Sequence, residues 1–187
     1  MIDYQKIADA IKFYQGYQYI DVPWVVSLDT MYITCPPECT IFPFLDKYLV
    51  ASAEQSFLQL IKDKKLKNGK YLAATPCFRD DLVDAIHHKY FMKVELINIG
   101  GGHKQLDEIL QDSVKFFQQY LPVQIVETST KPNSLSFDIN SFTGIELGSY
   151  GLREHPDTGP WVYGTGVAEP RLTYAIEQHY NSFRDIK

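Results

Sequence analysis

The sequence predicts an α+β fold, an antiparallel sheet flanked by helices. Three observations point there. Helical periodicity occurs at the two ends and at two internal stretches. Between them lie runs with strand character, several following one another with no helix between, which implies antiparallel pairing. Neither a phosphate loop of the Gly-x4-Gly-Lys-Ser type nor a strand-linked Gly-x-Gly-x-x-Gly is present, which argues against a doubly wound nucleotide fold.

The elements follow in order. Tyr4, Ile7, Ala8, Ile11 and Tyr14 recur at helical spacing, so residues 3–15 read as an amphipathic helix with Gly16 as its stop. Residues 19–26 read as a strand that Pro23 confines to an edge or a bulge. Residues 34–46, with three prolines and two cysteines, read as a loop. A short strand at 48–51 and a helix following Glu54 come next. The lysines at 62, 64, 65, 67 and 70 read as a solvated helix end, closed by the Asn68-Gly69 turn signal. Residues 70–79 and 90–98 read as strands. Gly100-Gly101-Gly102 reads as a connector to a long helix marked by Leu106, Ile109, Leu110, Val114 and Phe117. Further strands are expected at 122–128, 135–140, 144–150 and 161–165. A last helix starts near Ala168, with Pro170 in its permitted first turn.

Composition bounds the function. The 187 residues suit one domain, 1–187. With 18 Lys plus Arg against 23 Asp plus Glu, the net charge of −5 is unlike a nucleic-acid coat protein. No apolar run approaches the roughly 18 residues of a membrane span, and the N-terminus lacks an apolar signal core. Three cysteines, an odd number, fit a reducing cytoplasmic compartment; Cys35 and Cys39 have no second ligand pair to complete a zinc site.

Side chains two apart on a strand share a face. Phe91, Lys93 and Glu95 therefore share one face of their strand, while Tyr90, Met92, Val94 and Leu96 share the other, which is apolar and reads as core. Arg79 and Asp81 would share a face if their strand continues. A floor bearing Arg79, Asp81, Phe91 and Glu95 suits a nucleotide, the guanidinium pairing with phosphate and the ring stacking on a base. Cys77 is expected on the face opposite Arg79, in the core. In Tyr163-Gly-Thr-Gly-Val-Ala-Glu-Pro-Arg171, two glycines allow a close approach and an Arg opens a helix.

Taken together these segments resemble the class II aminoacyl-tRNA synthetase catalytic core, most closely its seryl branch. Gly16 to Val26 is similar to the family's first motif, Thr75 to Asp81 with Tyr90 to Leu96 to its second, and Gly164 to Glu177 to its third. Ser52-Ala-Glu54 resembles the Thr-x-Glu loop, and Glu146-Leu-Gly-Ser149 the Glu-x-x-Ser segment, of seryl enzymes.

The resemblance implies ATP bent over the sheet. Arg79 would hold the α-phosphate and the amino-acid carboxylate. Phe91 and Arg171 would sandwich adenine, with Asp81 and Gly166 also at the nucleotide and Arg171 reaching the γ-phosphate. Glu146 would bind Mg2+. Glu54 and Glu95 would receive the substrate ammonium, with Ser52 and Ser149 near its side chain. Asp81 replaces the family's usual Glu, and serines stand where zinc-using relatives have cysteine ligands, so no zinc is expected. Seryl enzymes carry a coiled-coil arm ahead of the first motif, where this chain has fifteen residues. The expected protein is a stand-alone homodimeric ligase in the cytoplasm. It would make an adenylate of a small amino acid from ATP, for transfer to a carrier protein or small molecule. The alternatives are an inactive paralog acting as a binding or regulatory subunit, and a minimal enzyme that aminoacylates RNA.

Overall fold

The computed structural model describes residues 1–36, 38–129 and 135–184. Ten strands and five helices are assigned among them. Seven strands form one large sheet: β1 (Gln18–Tyr19), β5 (Gly69–Phe78), β6 (Tyr90–Ile99), β10 (Gly159–Glu169), β9 (Glu146–His155), β8 (Leu135–Ser141) and β7 (Val123–Glu127), in that spatial order. Every neighbouring pair is antiparallel except β1, which lies parallel to β5 at the edge. The α+β reading therefore holds, with one parallel edge.

A second, small sheet of β2 (Val25–Val26), β4 (Lys47–Leu49) and β3 (Phe42–Phe44) stands apart from it. The single strand expected over 19–26 is thus divided between two sheets. Pro23 lies at the break, where a residue without an N–H cannot extend a ladder. The stretch read as a loop over 34–46 contributes β3. A helix the periodicity did not reveal, α2 (Leu28–Thr34), precedes it.

The faces of the large sheet differ. On one, α1 (Tyr4–Phe13), α4 (His103–Phe117) and α5 (Arg171–Arg184) pack over Leu72, Val94, Leu96, Tyr150, Val162 and Val167. Asp3 caps α1 through the backbone N–H groups of Gln5 and Lys6. On the other face, α3 (Ala53–Lys62) covers only one end, packing Phe57 and Leu58 against Ala73, Ile97 and Trp161. The rest of that face stays open as a cavity floor.

Two glycines of β10 show how closely the helices approach the sheet. A Cβ on Gly164 would lie 2.5 Å from Ile109 Cγ2, and one on Gly166 3.0 Å from the Tyr14 ring. The Tyr14 hydroxyl donates to the Gly166 carbonyl at 3.1 Å. The approach these glycines permit is therefore that of α1 and α4. Among the described residues, no helix is long and apolar enough to cross a membrane.

Candidate active site

The cavity, of 660 Å³, opens on the sheet face not covered by α1, α4 and α5. Its floor is built by parity. Phe91, Lys93 and Glu95 alternate along β6 and all line it, while their neighbours Val94 and Leu96 lie in the core on the opposite face. From β9 come Glu146, Ser149 and Arg153, and from β10 Tyr163 and Thr165. Ser52, Glu54 and Gln55 enter at the start of α3, and Arg171 at the start of α5. Arg79 and Asp81 both line the wall, yet β5 ends at Phe78, so it is the loop after the strand that presents them.

One end holds Arg79, Phe91, Asp81, Glu146 and Arg171. The Arg79 guanidinium lies over the Phe91 ring, 5.3 Å from its centroid, and its Nε donates to the Ala51 carbonyl at 3.1 Å. No other hydrogen bond to this guanidinium is found among the described residues, which leaves its terminal nitrogens for an anion. Arg171 Nη1 donates to Glu146 Oε1 at 3.1 Å. Asp138, on the neighbouring strand, has its carboxyl raised above the usual range by burial and by the charge of Glu146.

The other end holds two buried carboxylates with fixed partners. Glu54 accepts from Arg153 Nη1 at 2.7 Å and from Trp161 Nε1 at 2.7 Å. Arg153 also stacks on Tyr163, 4.2 Å from the ring centroid. Glu95 accepts from the Ser52 hydroxyl at 2.7 Å, from Lys93 Nζ at 2.7 Å and from the Ala53 N–H. The two titrate in opposite directions. Burial pushes Glu54 up, and Arg153 and Trp161 only partly offset it. Burial acts on Glu95 too, but Lys93 and Ser52 outweigh it and hold the carboxyl below its ordinary value.

Of the residues expected at the site, Ser52, Glu54, Arg79, Asp81, Phe91, Glu95, Glu146, Ser149 and Arg171 line this one cavity. Gly166 does not. Its Cα faces Tyr14 and Val94 on the helix side, as alternation from the cavity-facing Thr165 requires; the β-bulge between Thr165 and Val167 then keeps Val167 on that same side. Ser52 also caps α3, accepting from the Glu54 N–H at 3.1 Å. Cys77 is corrected as well. It pairs with Phe91 across β5 and β6 and lies two residues before Arg79, so it shares their face. It is nonetheless buried, which pushes its thiol up to about 12.

The residues that sequence reasoning passed over are Arg153, Trp161 and Tyr163, together with the pairing role of Lys93. The strands expected at 144–150 and 161–165 are too short at 151–155, 159–160 and 166–169, and Ala168, expected near the start of the last helix, is still in β10. Had β9 been carried to His155, the alternation from Ser149 through Gly151 would have put Arg153 on the cavity face.

This architecture is that of the class II aminoacyl-tRNA synthetase catalytic core. A cytoplasmic serine-tRNA ligase from Naegleria fowleri, solved in complex with AMP, superposes with a TM-score of 0.77 over 94% of this chain at 19% identity. Pyrrolysyl-tRNA synthetase structures from Desulfitobacterium hafniense give TM-scores of 0.72 and 0.71, each over 94% of this chain at 18% identity. The chain spans 53% of the serine-tRNA ligase and 68% of the pyrrolysyl enzymes. By sequence, no family model and no curated protein matches it.

Proposed function

We propose that this protein is a ligase that activates a small amino acid with ATP, forming an aminoacyl-adenylate and pyrophosphate. The acyl group then passes to a carrier protein or a small molecule. The observation that carries this reading is the convergence of Arg79, Phe91, Glu146 and Arg171, from four different elements, on one end of a single cavity.

In the reaction a carboxylate oxygen bonds to the α-phosphorus while the bond from that phosphorus to the bridging oxygen breaks and pyrophosphate leaves. Two anions must meet, so the protein has to offset their repulsion and hold them in line. Arg79 is the group for both: its free terminal nitrogens can bridge the α-phosphate and the substrate carboxylate. Phe91 offers a ring face to adenine, and Arg171 a second cation for the outer phosphates. No protein nucleophile is required.

The donor set at Glu146 fits a hard cation. Glu146 turns a half-exposed carboxylate into the cavity, and Mg2+ is commonly held by one or two carboxylates together with substrate phosphates. Bound there, Mg2+ would supply charge neutralisation to the phosphates.

Two further readings belong to this proposal. Tyr4, Tyr19, Trp24 and Phe44 stand exposed on α1, β1, the link to β2, and β3. They give a homodimer an apolar surface. The excess of acids over bases disfavours a broad tRNA-binding surface, which motivates the smaller acceptor. The decisive experiment is ATP–pyrophosphate exchange across the twenty amino acids. Exchange with one of them supports the reading. Exchange with none, in protein that binds ATP, would turn it toward a binding or regulatory subunit. Nuclease-sensitive label on total tRNA would instead favour RNA aminoacylation.

A further inference from the structure

The end of the cavity that holds Glu54 and Glu95, the acyl end if the adenylation reading holds, is layered. In each of its two ion pairs the carboxylate lies beneath and the cation above. The side chain of Glu54 is 7% exposed against 39% for Arg153, and that of Glu95 is 6% exposed against 13% for Lys93. The lone pairs of Glu95 are taken by Ser52, Ala53 and Lys93, and each oxygen of Glu54 already accepts one donor. A ligand reaching this end therefore meets N–H donors and positive charge. An ammonium group would have to displace Arg153 or Lys93 to reach either carboxylate, at the cost of leaving a cation unpaired.

Arg153 is held for recognition. Glu54 takes one of its terminal nitrogens and Tyr163 supports the guanidinium plane, so the fork is fixed before a ligand arrives. Its backbone pairs with Trp161, which pairs in turn with Ile99, at the end of β6 farthest from Phe91. The cavity thus has a cation at each end, Arg79 near Phe91 and Arg153 opposite, with Lys93 on the floor between.

We propose that the acyl substrate carries a second anionic group, as in an acidic amino acid or a short dicarboxylic acid, and that Arg153, assisted by Lys93, receives that group. This rests on the adenylation reading for the first carboxylate, which goes to Arg79. It makes Arg153 the residue that determines specificity, selecting against neutral and cationic side chains.

The test measures binding and exchange separately. Aspartate, glutamate and succinate are compared with serine, alanine and lysine, by calorimetric titration in the presence of AMP and by ATP–pyrophosphate exchange. The acidic compounds should bind best, and Arg153→Gln should weaken them by about tenfold or more, the scale of one charge-assisted contact. Because Arg153→Gln leaves Glu54 without its cation, the double variant Glu54→Gln/Arg153→Gln is measured too. It should show the same loss while keeping the buried site neutral. Preference for serine or alanine, or unchanged affinity for the acids in both variants, would overturn the proposal and leave adenylation standing. Acid binding that depends on Arg153 without any exchange would keep the subsite and end the adenylation reading. Neither binding nor exchange with any compound would end both.

Discussion

The two ends of the cavity use opposite charge layering. At the acyl end the carboxylates are underneath and the cations face the ligand. At the end with Arg79 and Arg171, the phosphate end of the proposed reaction, the order reverses: Arg171 is 18% exposed and its partner Glu146 47%. An outward carboxylate suits a metal ion, whereas outward guanidinium and ammonium groups suit an anion. The inner member of each pair fixes the outer one. At the acyl end the inner groups are buried carboxylates, which cost far more to leave unpaired than exposed ones. The phosphate end is accordingly open to rearrangement on binding, while the acyl end is built in advance.

The sharpest way to break this contrast is Arg79→Ala. The side chain stands at the open end, with a ring contact and one backbone hydrogen bond to lose, so folding should change little. Exchange activity should fall by about 3 kcal/mol of transition-state stabilisation, on the scale of an oxyanion-hole donor. Activity equal to the parent's would remove Arg79 from the site.

Glu54→Ala tests the other end and should act through stability. It strips the acceptor from the Trp161 N–H, which is buried, and the counter-ion from Arg153. Loss of a buried acceptor costs about 1–3 kcal/mol, and the half-exposed Arg153 can turn to water and keep the figure within that range. Chemical denaturation should show a clear fall in midpoint. An unchanged midpoint would mean that the acyl end is not built in advance.

Much of this was legible in the sequence, and the gaps have physical causes. Parity alone separated Phe91, Lys93 and Glu95 from Met92, Val94 and Leu96, because β6 runs unbroken from Tyr90 to Ile99. At Gly166 the family resemblance pointed to the nucleotide, whereas alternation from Thr165 puts it against the helices. At Asp81 the expected placement beside Arg79 is met, but by the loop after Phe78 and not by strand alternation. Trp161 carries no local signal of its role, because its partner Glu54 lies 107 residues away at the start of α3 and is brought beside it by the packing of that helix on the sheet. The glycines of the Tyr163–Arg171 segment were visible, but the sequence does not say whether a ligand or a helix makes the close approach.

Phe91→Leu should produce a smaller change. Stacking on adenine is similar in ground and transition states, so its loss should raise KM for ATP and leave kcat nearly constant. About 1–2 kcal/mol, or roughly tenfold, is expected for one base–aromatic contact. A fall in kcat at constant KM would instead point to Phe91 acting through Arg79, which rests on its ring.

The smallest expected effect is also the most specific, since it depends on sign. Glu54 has a folded-state pKa above its ordinary value of 4.5, so the folded chain holds that proton more tightly than the unfolded one. Its contribution favours the fold below about pH 4.5 and is lost as pH rises through the raised value. Glu95 has a lowered pKa, so its contribution is present above about pH 4.5 and is lost as pH falls through the lowered value. Glu54→Gln keeps an acceptor for Trp161 and Arg153 but removes the titration. Its stability relative to the parent should therefore improve as pH rises from 4.5 toward neutrality. Glu95→Gln should change in the opposite sense and in a lower window, gaining on the parent as pH falls below about 4.5 and keeping a constant difference above it. Thermal midpoints of the three proteins, followed from below pH 4.5 to neutrality, decide the matter. Two difference curves of the same sign would show that Lys93 and Arg153 treat their carboxylates alike, and the opposite balance of burial and pairing at Glu54 and Glu95 would have to be abandoned.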